Sequence, residues 1–274
     1  MIVKGYKKGL VMHYPKSLEI EYRRQLITYV KEIKKLVREY ILNNLNFTSS
    51  YRFVIKKDDL SNDLDNYIKA ILEQAKDKAF FLIIGLRKLA NKVNIFNKNI
   101  FSKFISSVPE LTNKISEEIK MWISENTNLI TNIPVLMMSK IVIAIHDSVR
   151  SSDSIAALKE EIKEIESSTD KRAKLIASDQ IGKINGNIVR QRNLDLGITE
   201  YVFLTSRDEK VRPTHKVMEN KVCSWLDSDV YKDAESDKKW KKRNSIGGVE
   251  KHPEEDFNCR CTSIAIIPSF VGNA

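Results

Sequence analysis

At residue 198 the apolar residues of this chain change period, and that switch constrains the fold more than any other feature. Upstream, hydrophobic side chains recur every three or four residues over long stretches, as amphipathic helices require. Within residues 17–45, Leu26, Val30, Ile33, Val37 and Ile41 keep that spacing, with Lys and Arg between them. Ser17 suits an N-cap and the asparagines of 43–46 suit a stop. Leu64, Ile68, Ile71, Ala75, Ala79, Leu82 and Leu86 repeat the pattern through 61–93. The asparagines of 91–101 then predict a break and a short element. Pro109 opens another helix, as proline does in a first turn, and Pro134 opens the most apolar one, over 134–151. A charged helix is expected over 152–168. Another is expected over 169–197, with Ala173, Ile176, Ala177, Ile181, Ile184 and Ile188 on one face and Gly197 at its C-terminus.

Downstream of 198 the texture is different. "ITEYVFLTS" (198–206) is β-branched and aromatic, which predicts a strand. A turn follows in "SRDEKVRPTH", with Pro213 as its punctuation, and a short helix over 213–220. Residues 224–251 read as a polar loop, in which Gly247-Gly248 supplies unusual backbone angles. "CRCTSIAIIP" (259–268) reads as a last strand, paired with 198–205. Alternation puts Cys259, Cys261, Ser263, Ala265 and Ile267 on one face and Arg260, Thr262, Ile264 and Ile266 on the other. The fold class is therefore α+β. Residues 1–197 form an elongated helical part, and residues 198–274 form a small α+β module.

Charge follows the same division. The chain of 274 residues carries 46 Lys and Arg against 36 Asp and Glu, a net of +10. Residues 198–274 hold 13 of each sign, so the whole excess lies in 1–197. A basic helical part suits nucleic acid or an acidic protein partner, and it equally suits ordinary solvated lysine-rich faces. Three cysteines are an odd number, which speaks against a disulfide framework and for a reducing compartment. The N-terminal residues lack the apolar core of a signal peptide. The longest apolar runs are 79–86 and the one that Lys140 interrupts. Both fall short of the roughly 18–20 residues of a membrane span, so a soluble protein without one is expected.

The chemistry-bearing residues gather in the last third. Cys223, Cys259, Cys261, His215 and His252 are all soft or borderline metal ligands. Of these, His215, His252, Cys259 and Cys261 make the candidate zinc set, since Cys-x-Cys on a strand presents both sulfurs to one side. The alternative is that both thiols pack as small buried hydrophobes. A disulfide between neighbours two apart on a strand is poorly placed. Asp208, Arg212 and His215 also stand close in sequence. They would suit a nuclease, with His215 as acid or base and Arg212 on the developing charge, or else a network pinning a loop, with Asp208 capping the turn or paired to Arg212. No P-loop, Gly-rich dinucleotide turn, Gly-x-Ser-x-Gly or His-Glu-x-x-His is present.

The order Asp208, Val211-Arg212, His215, Gly247-Gly248, Pro253-Glu254 and Asn258-Cys259-Arg260-Cys261 resembles the head-morphogenesis family of tailed bacteriophages, the minor head proteins similar to phage Mu protein F. "RAKLIASDQIGKINGNIVRQRNLDLGI", "SENTNLITNI" and "YPKSLEIEYRRQL" extend the resemblance over nearly the whole chain. Two positions depart from it. Ser178-Asp179 stands where the family often has Thr-Glu, and Glu219-Asn220 stands where a glycine usually follows the histidine. The resemblance implies a structural, non-enzymatic component of the virion head, assembled in the bacterial cytoplasm. Its implied partners are the portal protein, scaffold or capsid proteins, and double-stranded DNA. Some longer relatives of that family carry a toxin domain after the Cys-Arg-Cys motif; with thirteen residues after Cys261, none is expected in this sequence.

Overall fold

The computed structural model describes residues 9–43, 57–109, 111–151 and 153–267, with side chains from residue 63 onward in the second helix. Four long helices and six short strands account for most of them: β1 (Gly9–Val11), α1 (Lys16–Val37, continued by a π-helical turn Arg38–Leu42), α2 (Lys57–Phe101), α3 (Asn113–Ser151), α4 (Ile155–Asp195), β2 (Glu200–Leu204), α5 (Pro213–Lys216), β3 (Val222–Ser224), β4 (Val230–Lys232), β5 (Lys241–Lys242) and β6 (Thr262–Ile266). The α+β class is as expected. The described residues fall into two compact units. One draws on Met1–Glu19, Lys88–Trp122 and Ser178–Ala274, the other on Ile20–Arg87 and Ile123–Ala177.

Among its described residues, helices are the regular elements of the second of these units, and its core is the one the spacing predicted. Leu26, Val30, Ile33, Val37 and Ile41 are buried along one face, as are Leu64, Ile71, Ala75, Ala79 and Leu86. Ile68 and Leu82 are only half-buried. Two tyrosines bring polar tips into this core and satisfy them there. Tyr22 donates to Asn126 Oδ1 at 2.7 Å and Tyr29 to the Ala75 carbonyl at 3.1 Å. Burial pushes both phenols well above their usual range.

Three helix breaks expected from the sequence are absent. α2 runs unbroken through the asparagines of 91–101 because two of them are buried hydrogen-bonding groups rather than turn formers. Asn97 Nδ2 donates to Val93 O (3.1 Å) and to Asn185 Oδ1 (2.9 Å), and Arg192 Nη2 donates to Asn94 Oδ1 (2.5 Å). α3 continues through Pro134, which removes one backbone donor; the buried Ile130, Ile133, Met137 and Met138 around it hold the helix together. This helix starts at Asn113, four residues after the Pro109 expected to open it. Uninterrupted, α3 is long and apolar enough by composition to cross a membrane, contrary to the expectation from its halves, although close to half of that window is buried within the fold. α4 likewise joins the two expected helices. It ends as Gly197 predicts: Gly197 takes φ +72°, its N–H bonds Leu194 O and the Ile198 N–H bonds Asn193 O, the paired bonds of a Schellman cap.

The sheet lies in the other unit. Its order is β1-β6-β2-β3-β4-β5, antiparallel throughout. β6 pairs with β2 as expected, while β1 on its other side was not foreseen. The polar stretch 224–251 is not a plain loop, since it holds β4, β5 and a 3-10 turn (Arg243–Ile246). One row of facing residues crosses the sheet through Leu10, Ala265, Tyr201, Cys223 and Tyr231, and all five lie in the core. Trp225 stacks on Tyr201 at 3.9 Å between ring centres. Cys259, Cys261 and Ala265 face this same core with Ile267 packed against it, which agrees with the alternation read from the sequence.

Candidate metal centre

Two turns bring the chemistry-bearing residues together. The first runs from β2 to α5. Pro213 stands at the start of α5, where a missing N–H costs nothing, and the single turn it opens carries His215 inward. Asn220 closes this turn at φ +63°, a conformation asparagine tolerates in place of glycine. Glu219 ties it to β2 by accepting the Thr205 N–H at 2.6 Å. The second turn, 252–259, leads into β6. Glu254 and Asn258 both take positive φ there, and the Cys259 N–H bonds Asp256 O.

α4 clamps the second turn. Asp179 Oδ1 accepts the Asn258 N–H (2.8 Å), Ser178 Oγ donates to Asn258 Oδ1 (2.6 Å), and Asn185 Nδ2 donates to Glu254 Oε2 (2.6 Å). The aspartate at 179 therefore has a definite role in holding the motif. Glu254 is buried, and desolvation raises its pKa well above the carboxylate range. Gly186 lets the turn approach, since a Cβ there would meet Pro253 O at 2.8 Å and Glu254 Cβ at 3.0 Å. Gly186→Ala should therefore cost about 1–2 kcal/mol despite alanine's better helix propensity. Gly85→Ala, in α2 with nothing within 4 Å of the new methyl, should gain about 0.5–1 kcal/mol. Urea midpoints check the pair; equal signs would remove the packing argument.

Between the two turns lie His215, Cys259 and Cys261, all buried, with their ligand atoms within 4.8 Å of one another. His215 Nδ1 is 3.4 Å from Cys261 Sγ and 3.6 Å from Cys259 Sγ. Its Nε2 faces Asp256 Oδ2 at 3.2 Å. Asp256 is held in turn by Arg212 Nη1 (2.7 Å) and Lys251 Nζ (2.9 Å), while a second Arg212 nitrogen donates to Phe257 O. Burial works against ionising Asp256, but Lys251 and His215 hold its carboxyl at about 2. The hydrogen bond between the two cysteines lowers the Cys259 thiol and raises that of Cys261, because one sulfur takes the charge the other then avoids. Cys259, more than Asp256, raises the His215 imidazole against the effect of burial.

The other residues singled out in the sequence lie elsewhere. His252 is outside this group. Its Nδ1 meets Tyr201 OH at 3.1 Å and its ring packs on Trp225. Cys223 is buried in the sheet with its thiol bonded to Lys221 O. None of the three cysteines is in a disulfide. Of the two expectations for Asp208, the cap is the one the structure shows: its Oδ1 accepts the Lys210 N–H at 2.9 Å, while its ion pair is with Arg260 at 2.6 Å and not with Arg212. Arg212 pairs with Asp256, a residue the sequence reading passed over although it lies three before Cys259. Pro253 contributes its carbonyl to the contact with Gly186.

Residues 139–264, which contain both turns and the α4 clamp, match the family model described as phage Mu protein F like protein. That stretch is similar to this family. The resemblance read from the motif is thereby supported. An uncharacterized protein of Haemophilus influenzae is 26% identical over 166 residues, covering 61% of this chain and 32% of the relative. The chain thus spans about a third of that relative's length. No solved structure matches. Within the matched stretch, Arg212, His215, Asp256, Cys259 and Cys261 form one connected cluster, and Arg260, between the two cysteines in sequence, pairs with Asp208.

Proposed function

We propose that this protein is a minor head protein of a tailed bacteriophage, acting without catalysis in head assembly and associating with the portal. The observation that carries the reading is the match of residues 139–264 to the phage Mu protein F-like family. The use of the motif residues supports it. His215 is buried and both its ring nitrogens face protein groups, and Arg212 is committed to Asp256 and Phe257. A nuclease built on these two residues would need them turned toward a phosphate. Residues 1–197, which hold the excess of positive charge, are the part proposed to meet the portal, scaffold or capsid proteins and the packaged DNA. Residues 198–274 are the module proposed to fix that part in place. The protein would then be found in the virion and, during assembly, in the host cytoplasm.

The test is quantitative mass spectrometry of purified empty and DNA-filled capsids from the host strain. A few copies per particle is the expected result. Complete absence from both kinds of particle would overturn the virion assignment and return the nuclease reading to consideration.

A further inference from the structure

We propose that His215 Nδ1, Cys259 Sγ and Cys261 Sγ bind one zinc ion, with Asp256 as the residue that orients the histidine. The inference is independent of the role in head assembly.

Four observations converge on it. The first is distance. Zinc holds sulfur at about 2.3 Å and imidazole nitrogen at about 2.0–2.1 Å, so a tetrahedral pair of such ligands sits about 3.6 Å apart. Nδ1 stands 3.4 Å from one sulfur and 3.6 Å from the other.

The second is valence. A neutral imidazole nitrogen has one lone pair, which accepts one S–H; here two sulfurs share it at nearly equal distance. A cation at the centre of the three atoms satisfies all of them at once.

The third is the tautomer. Nε2 faces Asp256 Oδ2 at 3.2 Å, and the neutral tautomer that donates Nε2–H to this carboxylate directs its Nδ1 lone pair at the sulfurs. A carboxylate behind a histidine is the usual outer shell of a zinc ligand, fixing the ring and strengthening its donor nitrogen. Arg212 and Lys251 hold that carboxylate in turn, which gives Arg212 a purpose other than phosphate binding.

The fourth is ligand chemistry. Two thiols and an imidazole, with no carboxylate oxygen among the donors, select zinc over magnesium or calcium. Three protein donors leave a fourth position for water. The ion would join α5 to the turn before β6, two segments more than forty residues apart.

The test uses the full chain. Purified protein should contain about one zinc, and the chelator-stripped protein should take up cobalt with strong thiolate-to-cobalt charge-transfer absorption. Both properties should disappear in Cys259→Ser and Cys261→Ser and persist in Cys223→Ser. Asp256→Asn should weaken zinc about 10–100-fold while keeping the thiolate bands, which a merely structural role for Asp256 would not produce. Maleimide should label Cys259 and Cys261 only after zinc is removed. The cobalt titration of the wild-type chain decides the matter even where the serine variants do not fold. Stripped wild-type protein that takes up no cobalt, or takes it up without thiolate bands, would overturn the proposal. So would metal retained by a Cys259→Ser, Cys261→Ser double variant.

Discussion

Arg243→Ala should destabilise the sheet-containing unit by about 4 kcal/mol, the largest effect of any single substitution considered for this protein. Arg243 is fully buried, and every nitrogen of its guanidinium is engaged. Nε donates to Val230 O (3.1 Å), Nη1 to Val249 O (3.1 Å) and Lys251 O (2.8 Å), and Nη2 to Tyr201 OH (3.0 Å). One planar group thus ties β4, the 249–251 segment and β2. Bonds from a charged donor are each worth about 1.5–3 kcal/mol, and removing the donor leaves three carbonyls desolvated and unpaired. Arg243→Lys should recover little, because a single ammonium on a flexible stem cannot reproduce the fork. Urea unfolding followed by near-ultraviolet circular dichroism reads the result through the stacked Tyr201 and Trp225. A loss below about 1 kcal/mol for the alanine variant would mean that water replaces the guanidinium, and that the network contributes little.

That network also marks the limit of what the sequence discloses. Periodicity located α1, the buried faces of the long helices, β2, β6 and their pairing, because those features depend on local spacing. It failed where a residue's meaning comes from a distant partner. Asn94 and Asn97 look like helix breakers until Arg192 and Asn185 are set against them. Pro134 looks like a boundary until the apolar residues around it are seen to be buried. β3, β4 and β5 are two or three residues long, too short to show any alternation. Nothing near Arg243 in a run of lysines distinguishes it as a core residue.

The candidate site was legible in part. Cys-x-Cys and the histidine after Pro213 are a recognisable donor set, and the structure brings them within bonding range of one another. His252 is the residue that differs: sequence proximity placed it with Cys259, whereas its ring meets Tyr201 and Trp225 and stands outside the His215, Cys259 and Cys261 group. Asp256 was overlooked because acidic residues crowd that stretch, with Glu254, Glu255 and Asp256 in succession. Only the direction of each carboxylate separates them. Glu254 turns to Asn185, Glu255 caps the His252 N–H, and Asp256 alone meets His215.

His252 supplies the second large effect, a dependence of stability on pH. Burial, followed by the charges of Arg190 and Arg243, lowers its pKa from 6.5 to about 3. The folded protein therefore keeps this ring neutral at pH values where the unfolded chain protonates it. The stability tied to the neutral ring is complete above pH 6.5 and falls as the solution is acidified, until the folded form also protonates near pH 3. The slope approaches about 1.4 kcal/mol per pH unit. Glu254 acts in the opposite sense. Its folded pKa is raised, so its contribution is fully present below the unfolded value of 4.5 and is lost as pH rises through the folded one. The two partly cancel in the wild-type protein, and only a variant separates them. His252→Gln should be less stable than wild type at neutral pH, where it gives up ring packing on Trp225. Between about pH 7 and about pH 5 that deficit should shrink by about 2 kcal/mol, because only the wild type carries a histidine that must stay neutral there. A deficit that stays constant over that interval would show that the ring protonates within the fold, and would place a proton between His252 and Tyr201 at ordinary acidity.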